Sequence, residues 1–160
     1  MIDPFKKFNS WFRIVKKKNL QDPTAFALAS SDKYNQPHVR MVLLKKIDND
    51  GFVFFTNLKS NKGNQFKSNK KLSMCFYWES IGRQIRIIGK GEIIDEKKSD
   101  DYFLSRPLGS QIGAWASNQS RALESKEHLK KKYDFFKKRF VNEKIFRPKH
   151  WVGIKIKPSN

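Results

Sequence analysis

Arg40-Met41-Val42-Leu43-Leu44-Lys45 is an apolar run held between two cations, and its reading decides how the rest of the chain is arranged. Four consecutive apolar residues bounded by charge form the pattern of a strand buried on both faces, with Arg40 and Lys45 marking where it meets polar surroundings. Downstream, Asp48-Asn49-Asp50-Gly51 is a turn signal, so His38–Lys46 and Phe52–Asn57 are expected to pair as antiparallel neighbours. Strict alternation sends Arg40 and Lys45 to opposite faces, five positions being an odd step. Joint action of the two therefore needs a twist, a bulge or a ligand spanning the strand end.

Working outward, Ala25 to Ser30 is a further short strand, joined to the opening run by the turn-forming segment Ser31 to Pro37. Before it, Asp3-Pro4 opens a helix over about residues 1–20, in which Phe5, Phe8, Phe12 and Val15 recur at three- and four-residue steps and predict packing onto a sheet. After the first hairpin, Ser60 to Asn69 reads as a short helix. Leu72–Trp78 and Arg83–Ile94 read as a strand pair across Glu79-Ser80-Ile81-Gly82, with Gly89-Lys90-Gly91 a kink or bulge candidate. From Asp95 the pattern changes: Ser99 to Leu104 is helical, Ser105 to Gly109 a loop, and Ser125 to Val141 an amphipathic helix bearing Leu129, Tyr133, Phe136 and Phe140. Trp151 to Lys157 returns to strand. Short antiparallel strands with peripheral helices predict one α+β domain over 1–160 built on a β-barrel, its core at 22–94 and a helical segment at 95–141.

The composition is that of a folding chain: 38% hydrophobic and 14% aromatic, with fourteen Phe and four Trp in 160 residues, is too rich for disorder. No apolar run reaches the length of a membrane span, the start lacks a signal-peptide pattern, and Cys75 has no cysteine partner, all pointing to a cytoplasmic protein with Cys75 as a small buried residue. The net charge of +19 raises a nucleic-acid reading, but 26 Lys against 8 Arg, spread along the chain, describe a lysine-rich surface and not a phosphate reader. The few arginines at Arg40, Arg83, Arg86 and Arg106 all lie beside apolar or turn segments.

Metal chemistry is disfavoured, since His38, His128 and His150 stand far apart without paired ligands, and no nucleophile elbow, Walker loop or Gly-x-Gly-x-x-Gly turn is present. What remains are groups suited to anions. Besides Arg40 and Lys45, Ser60-Asn61-Lys62-Gly63 combines a helix cap with free N–H groups and a lysine, and Ser105-Arg106-Pro107-Leu108-Gly109-Ser110-Gln111 offers an arginine fork with two hydroxyls.

Taken together, Arg40 to Lys45, Phe54-Phe55-Thr56-Asn57, Ser60-Asn61-Lys62, Arg83-Gln84 and Ser105-Arg106-Pro107 through Ser110-Gln111-Ile112-Gly113-Ala114-Trp115 resemble the pyridoxine/pyridoxamine 5′-phosphate oxidase family, from about Asp22 to Trp151. The resemblance implies an antiparallel, Greek-key-like FMN-binding split β-barrel that dimerises with itself and holds FMN at the subunit interface. It further implies that Arg40, Met41, Val42, Leu43, Leu44, Lys45, Phe55, Thr56, Ser60, Asn61 and Lys62 form one FMN wall, with Gln84, Gln119 and Ser120 supplying the remaining contacts. Lys45, Tyr102, Arg106 and Ser110 would meet the phosphate of a pyridine substrate. The implied reaction oxidises pyridoxine or pyridoxamine 5′-phosphate to pyridoxal 5′-phosphate, with O2 as acceptor and H2O2 as product.

Departures from the family pattern are Asn61 where an arginine is common and Phe55 where a tyrosine is common, both expected to weaken FMN affinity. The family's carboxy-terminal Trp and Arg-x-His-x-Arg segment is expected to be lacking, as is its amino-terminal extension. Competing readings are a flavin oxidase of the phenazine-biosynthesis type, a non-catalytic FMN- or pyridoxal-phosphate-binding protein, and a basic nucleic-acid-binding barrel.

Overall fold

The computed structural model describes residues 3–18 and 22–159, and among them seven strands, all paired antiparallel, and five α-helices. Helix α1 (Pro4–Lys18) is followed by β1 (Ala25–Ser31), β2 (Pro37–Leu43), β3 (Lys46–Asp48), β4 (Gly51–Asn57), α2 (Asn61–Ser68), β5 (Lys71–Trp78) and β6 (Arg83–Ile93). Helices α3 (Glu96–Ser105), α4 (Leu108–Ala116) and α5 (Lys126–Asn142) precede the last strand, β7 (Trp151–Pro158). The sheet order is β2-β1-β5-β6-β7-β4-β3. Strands β2 and β3 thus stand at opposite ends of the sheet although only Leu44 and Lys45 separate them, so the sheet has to curl until its ends meet. Two backbone bonds mark the seam: Leu44 N–H donates to Thr24 O at 2.8 Å and Lys45 N–H to Val53 O at 2.9 Å. The result is the split β-barrel.

This closure corrects the expected hairpin. The run His38–Lys46 is not one strand beside Phe52–Asn57: β2 pairs with β1, matching Met41 to Ala27 and Arg40 to Leu28, and only the three-residue β3 pairs with β4. Burial on both faces fails as well. Leu44 is buried in the core, but Val39 is 69% and Met41 66% exposed, because β2 is an edge strand whose outer face no other described residue covers.

Inside the barrel, Phe26, Phe54, Phe76 and Trp78 are wholly buried, and α1 lays Phe8, Phe12 and Val15 against them. Phe8 meets Phe52, Phe76 and Trp78 at ring separations of 4.9, 5.3 and 5.4 Å, the packing that its spacing predicted. Residues 1, 2, 19 and 20 of the expected helix lie outside the described residues. Gly89 and Gly91 form no bulge, since the ladders on both sides of β6 run unbroken. They are small for close packing: a Cβ at Gly91 would lie 2.7 Å from the Phe66 ring, and one at Gly89 would lie 2.1 Å from Lys157 O. Cys75 is half-exposed on the outer face instead of buried.

The expected loop Ser105 to Gly109 shrinks to Arg106-Pro107, and α4 starts at Leu108. Two glycines give this segment poor intrinsic helicity. It is held by α5, whose Phe136 and Phe140 pack on Trp115 at 5.6 and 5.8 Å, while Trp115 Nε1 donates to Phe146 O at 2.8 Å. Arg147 then ties the approach to β7 onto α3, with Nε donating to Asp100 at 2.6 Å and Nη1 to Trp151 O at 2.7 Å.

Candidate active site

On β1 the inward register carries Phe26, Leu28 and then Ser30, a hydroxyl in an apolar row that requires a partner. It finds two. Arg40, opposite Leu28 on β2, donates through Nη1 to Ser30 Oγ (2.6 Å) and Leu28 O (3.1 Å), and through Nη2 to Gln65 Oε1 (2.7 Å), to which Ser30 Oγ also donates (2.7 Å). Arg40 is therefore half-buried with neutral oxygens as its partners, and the desolvation lowers its pKa.

The second cation comes from α2. Ser60 caps this helix, accepting from Gly63 N–H at 3.3 Å and donating to Asn57 O at 2.6 Å, so its buried hydroxyl is already used. Gly63 lets the helix start sit directly on the end of β4, since a Cβ there would lie 2.6 Å from Asn57 O and from Leu58 backbone atoms. That approach carries Lys62 to the barrel mouth, where Nζ donates to Gln119 Oε1 at 3.0 Å. Burial lowers the pKa of Lys62, and the positive charge of Arg40 lowers it further. Among the described residues neither cation has a carboxylate partner. Two cations kept close without a counterion form a site for an anion.

Facing them is an aromatic wall. Phe55, Tyr102 and Trp151 lie nearly parallel, Phe55 being 4.1 Å from Tyr102 and 4.8 Å from Trp151 between ring centres. The Arg106 guanidinium lies 4.8 Å from the Trp151 ring. Among the described residues its buried Nη1 has no hydrogen-bond partner, nor has Thr56 Oγ1. Burial raises the pKa of Tyr102, partly offset by Arg106, and lowers that of Arg106. Buried polar atoms left unpaired in a cleft are atoms that a ligand can satisfy.

Between these walls lies a cleft of about 490 Å³, within the range that holds a cofactor. It brings together Met41, Val42, Leu43, Lys45, Phe55, Thr56, Lys62 and Gln119 from the expected flavin set, and Tyr102, Arg106 and Ser110 from the expected substrate set. Six expected residues are off this lining: Gln84, Arg40, whose guanidinium is turned onto Leu28 O, Ser30 and Gln65, and four others. Leu44 is in the core, Ser60 is a buried cap, and Asn61 and Ser120 are exposed and off the lining, Ser120 with a positive φ of 63°. Sequence reasoning missed Trp151 as a lining residue, together with Asn57 and Gly113, and missed Ser30 and Gln65 behind Arg40. The inward register of Ser30 was a usable signal; nothing in the sequence pairs Gln65 with a strand thirty-five residues earlier.

Gln84 lies outside the cleft, exposed on β6. It belongs to the barrel's outer face, where cross-strand rows run Val39–Ala29–Ser73–Ile88 and Met41–Ala27–Cys75–Arg86. The small residues of β1 and β5 leave a trough between exposed Val39 and Met41 on one side and exposed Ile88 on the other. Met41 and Leu43 border the cleft as well, so the trough and the cleft share a rim.

Comparison with known proteins agrees with this geometry. The family described as pyridoxamine 5′-phosphate oxidase matches residues 15–140. A pyridoxine/pyridoxamine 5′-phosphate oxidase of Allorhizobium ampelinum is 47% identical over 156 residues, 98% of this chain and 76% of that protein. Among solved structures, PhzG from Burkholderia lata 383 in complex with tetrahydrophenazine-1-carboxylic acid superposes with a TM-score of 0.91 at 25% identity, covering 98% of this chain and 76% of that one. A pyridoxamine 5′-phosphate oxidase-related, FMN-binding protein from Nostoc punctiforme shares the fold with a TM-score of 0.76 at 12% identity, over 99% of this chain and 82% of that one. Among the described residues no helix is long and apolar enough to cross a membrane. With its sequence matched over most of its length and its split barrel shared, this chain belongs to the pyridoxamine 5′-phosphate oxidase family of oxidoreductases.

Proposed function

We propose that the chain is an FMN-dependent oxidase that converts pyridoxine or pyridoxamine 5′-phosphate to pyridoxal 5′-phosphate. The observation that carries this is a pair of cations without a carboxylate among the described residues, Lys62 on the cleft lining with Arg40 held close to it, and Arg106 beside Tyr102 on the same lining. Two separate anion sites suit a phosphorylated cofactor and a phosphorylated substrate. Bound FMN would supply the two-electron acceptor, with O2 taking the electrons onward to H2O2.

In this reading Arg40 and Lys62 hold the flavin phosphate, Thr56 Oγ1 gains the partner it lacks, and Met41, Val42 and Leu43 give the ring an apolar edge. Arg106, Tyr102 and Ser110 hold the substrate phosphate, and Lys45 stands at the junction. The protein's contribution is alignment of two rings more than acid–base chemistry. For the alcohol, two hydrogens leave and H2O2 forms from O2; for the amine, water additionally releases ammonia.

A second copy of the chain would cover the trough beside β1 and bring its own Gln84 toward the rim that Met41 shares with the cleft. The homodimer is therefore part of the proposal. Oxidation of a phenazine precursor is a second reading, favoured by the 0.91 superposition with PhzG; the higher identity to pyridoxine/pyridoxamine 5′-phosphate oxidase favours the first. Anaerobic addition of pyridoxamine 5′-phosphate to the FMN-loaded protein should bleach the flavin absorbance, and air should restore it. Flavin that binds but stays oxidised with this substrate would refute the pyridoxine/pyridoxamine 5′-phosphate reading and leave the phenazine-type oxidase or a non-catalytic flavin-binding protein.

A further inference from the structure

The network behind Arg40 allows one arrangement of hydrogen bonds. A guanidinium only donates, so Ser30 Oγ must accept from it at 2.6 Å and give its own proton to Gln65 at 2.7 Å. Gln65 receives both Arg40 and Ser30 and must therefore present its oxygen, not its nitrogen. Gln65 is 7% exposed, does not line the cleft, and sits on α2 less than one turn after Lys62. One short helix thus supplies the second cation of the anion site and the acceptor that aims the first.

The chemistry of that acceptor decides what the site attracts. A carboxylate could accept the same two bonds, and more strongly, but would pair with Arg40 and cancel the charge offered to a ligand. An amide oxygen holds the guanidinium and leaves its charge whole. Lys62 follows the same rule, with Gln119 as its partner. We propose that Gln65 is a positioning residue that sets the ligand charge of the cofactor site, holding Arg40 without neutralising it so that a flavin bearing a phosphate is selected over one without. This inference rests on the FMN reading above.

The test measures FMN and riboflavin affinities by quenching of flavin fluorescence, in wild type and in Gln65→Glu and Gln65→Met, with melting temperatures as the folding control. Gln65→Glu is expected to lower FMN affinity by at least about tenfold and to leave riboflavin affinity within about twofold, because the added charge acts on the phosphate alone. Gln65→Met, which removes the acceptor without adding charge, should reduce the FMN preference less. A wild-type FMN-to-riboflavin ratio in Gln65→Glu, or equal losses for both flavins, would overturn the proposal. Should Gln65→Glu fail to fold, Gln65→Met decides: a reduced ratio supports the proposal and a wild-type ratio overturns it. A wild-type protein that binds no FMN overturns the cofactor reading itself, an outcome separate from these.

Discussion

The Arg40 guanidinium and the Lys62 ammonium repel one another, and each is held by an amide oxygen, Gln65 for the first and Gln119 for the second. Like charges are kept close at a cost in stability only where the fold over-determines them, here through β1, β2 and the capped start of α2. The arrangement becomes favourable once an anion enters, and the consequences can be measured.

The ends of the opening run should separate functionally. Arg40→Ala removes charge-assisted hydrogen bonds worth about 1.5–3 kcal/mol each, so the FMN dissociation constant should rise roughly 10- to 100-fold. Lys45→Ala and Arg106→Ala should instead mainly raise KM for the phosphorylated substrate. Flavin titrations and steady-state kinetics on the three variants check this; unchanged FMN retention and turnover in all three would leave the run a structural seam only.

Flavin retention should also fall at high pH. Burial, and then Arg40, hold the Lys62 pKa below the ordinary lysine range, so its charge is lost as pH rises through that lowered value. Affinity for FMN is full below it and declines above it. Dissociation constants followed over roughly pH 7 to 10 should show the decline in wild type and a much weaker one in Lys62→Arg, whose charge persists.

Gly63→Ala tests the packing that delivers Lys62. The new methyl would meet backbone of Asn57 and Leu58 at 2.6 Å, and backbone cannot swing aside. Destabilisation of about 1–3 kcal/mol is expected, despite alanine's better helix propensity, together with weaker FMN binding as α2 shifts off β4. Urea unfolding of the apo protein beside a flavin titration measures both; a stabilised variant would refute the close-approach account.

His150, on the segment entering β7, predicts an acid-side loss of stability. Burial, and then Lys59, lower its pKa in the folded state. The unfolded chain therefore takes up the proton first as pH falls, so the contribution is present above roughly pH 6.5 and disappears progressively below it. Urea midpoints at neutral and mildly acidic pH should converge for wild type and His150→Phe in their slope only if this coupling is absent; with it, wild type loses more stability than the variant.

Much of this was legible in residue order, because local periodicity writes itself into sequence. The α1 stripe of Phe8, Phe12 and Val15, the β5–β6 hairpin, the Ser60 cap and the return strand at Trp151 are all set by spacing and turn chemistry within a few residues. So were most lining residues, since Met41 to Leu43, Lys45, Phe55-Thr56, Lys62 and Arg106 carry charge or apolar bulk in recognisable order.

Long-range pairing decided the remainder. An apolar run such as Met41 to Leu44 looks the same whether it is buried on both faces or lies at an open edge; only the partner of β2, and the curl that brings β2 and β3 together, leave Met41 exposed and Leu44 buried. Helix α4 exists because Trp115 packs on α5, a contact that propensity cannot register. The grip of Gln65 on Arg40 joins residues far apart in the chain through the barrel wall. Charge and periodicity are local properties and survive in the sequence; which oxygen meets which cation depends on closure of the sheet, and only the folded barrel supplies it.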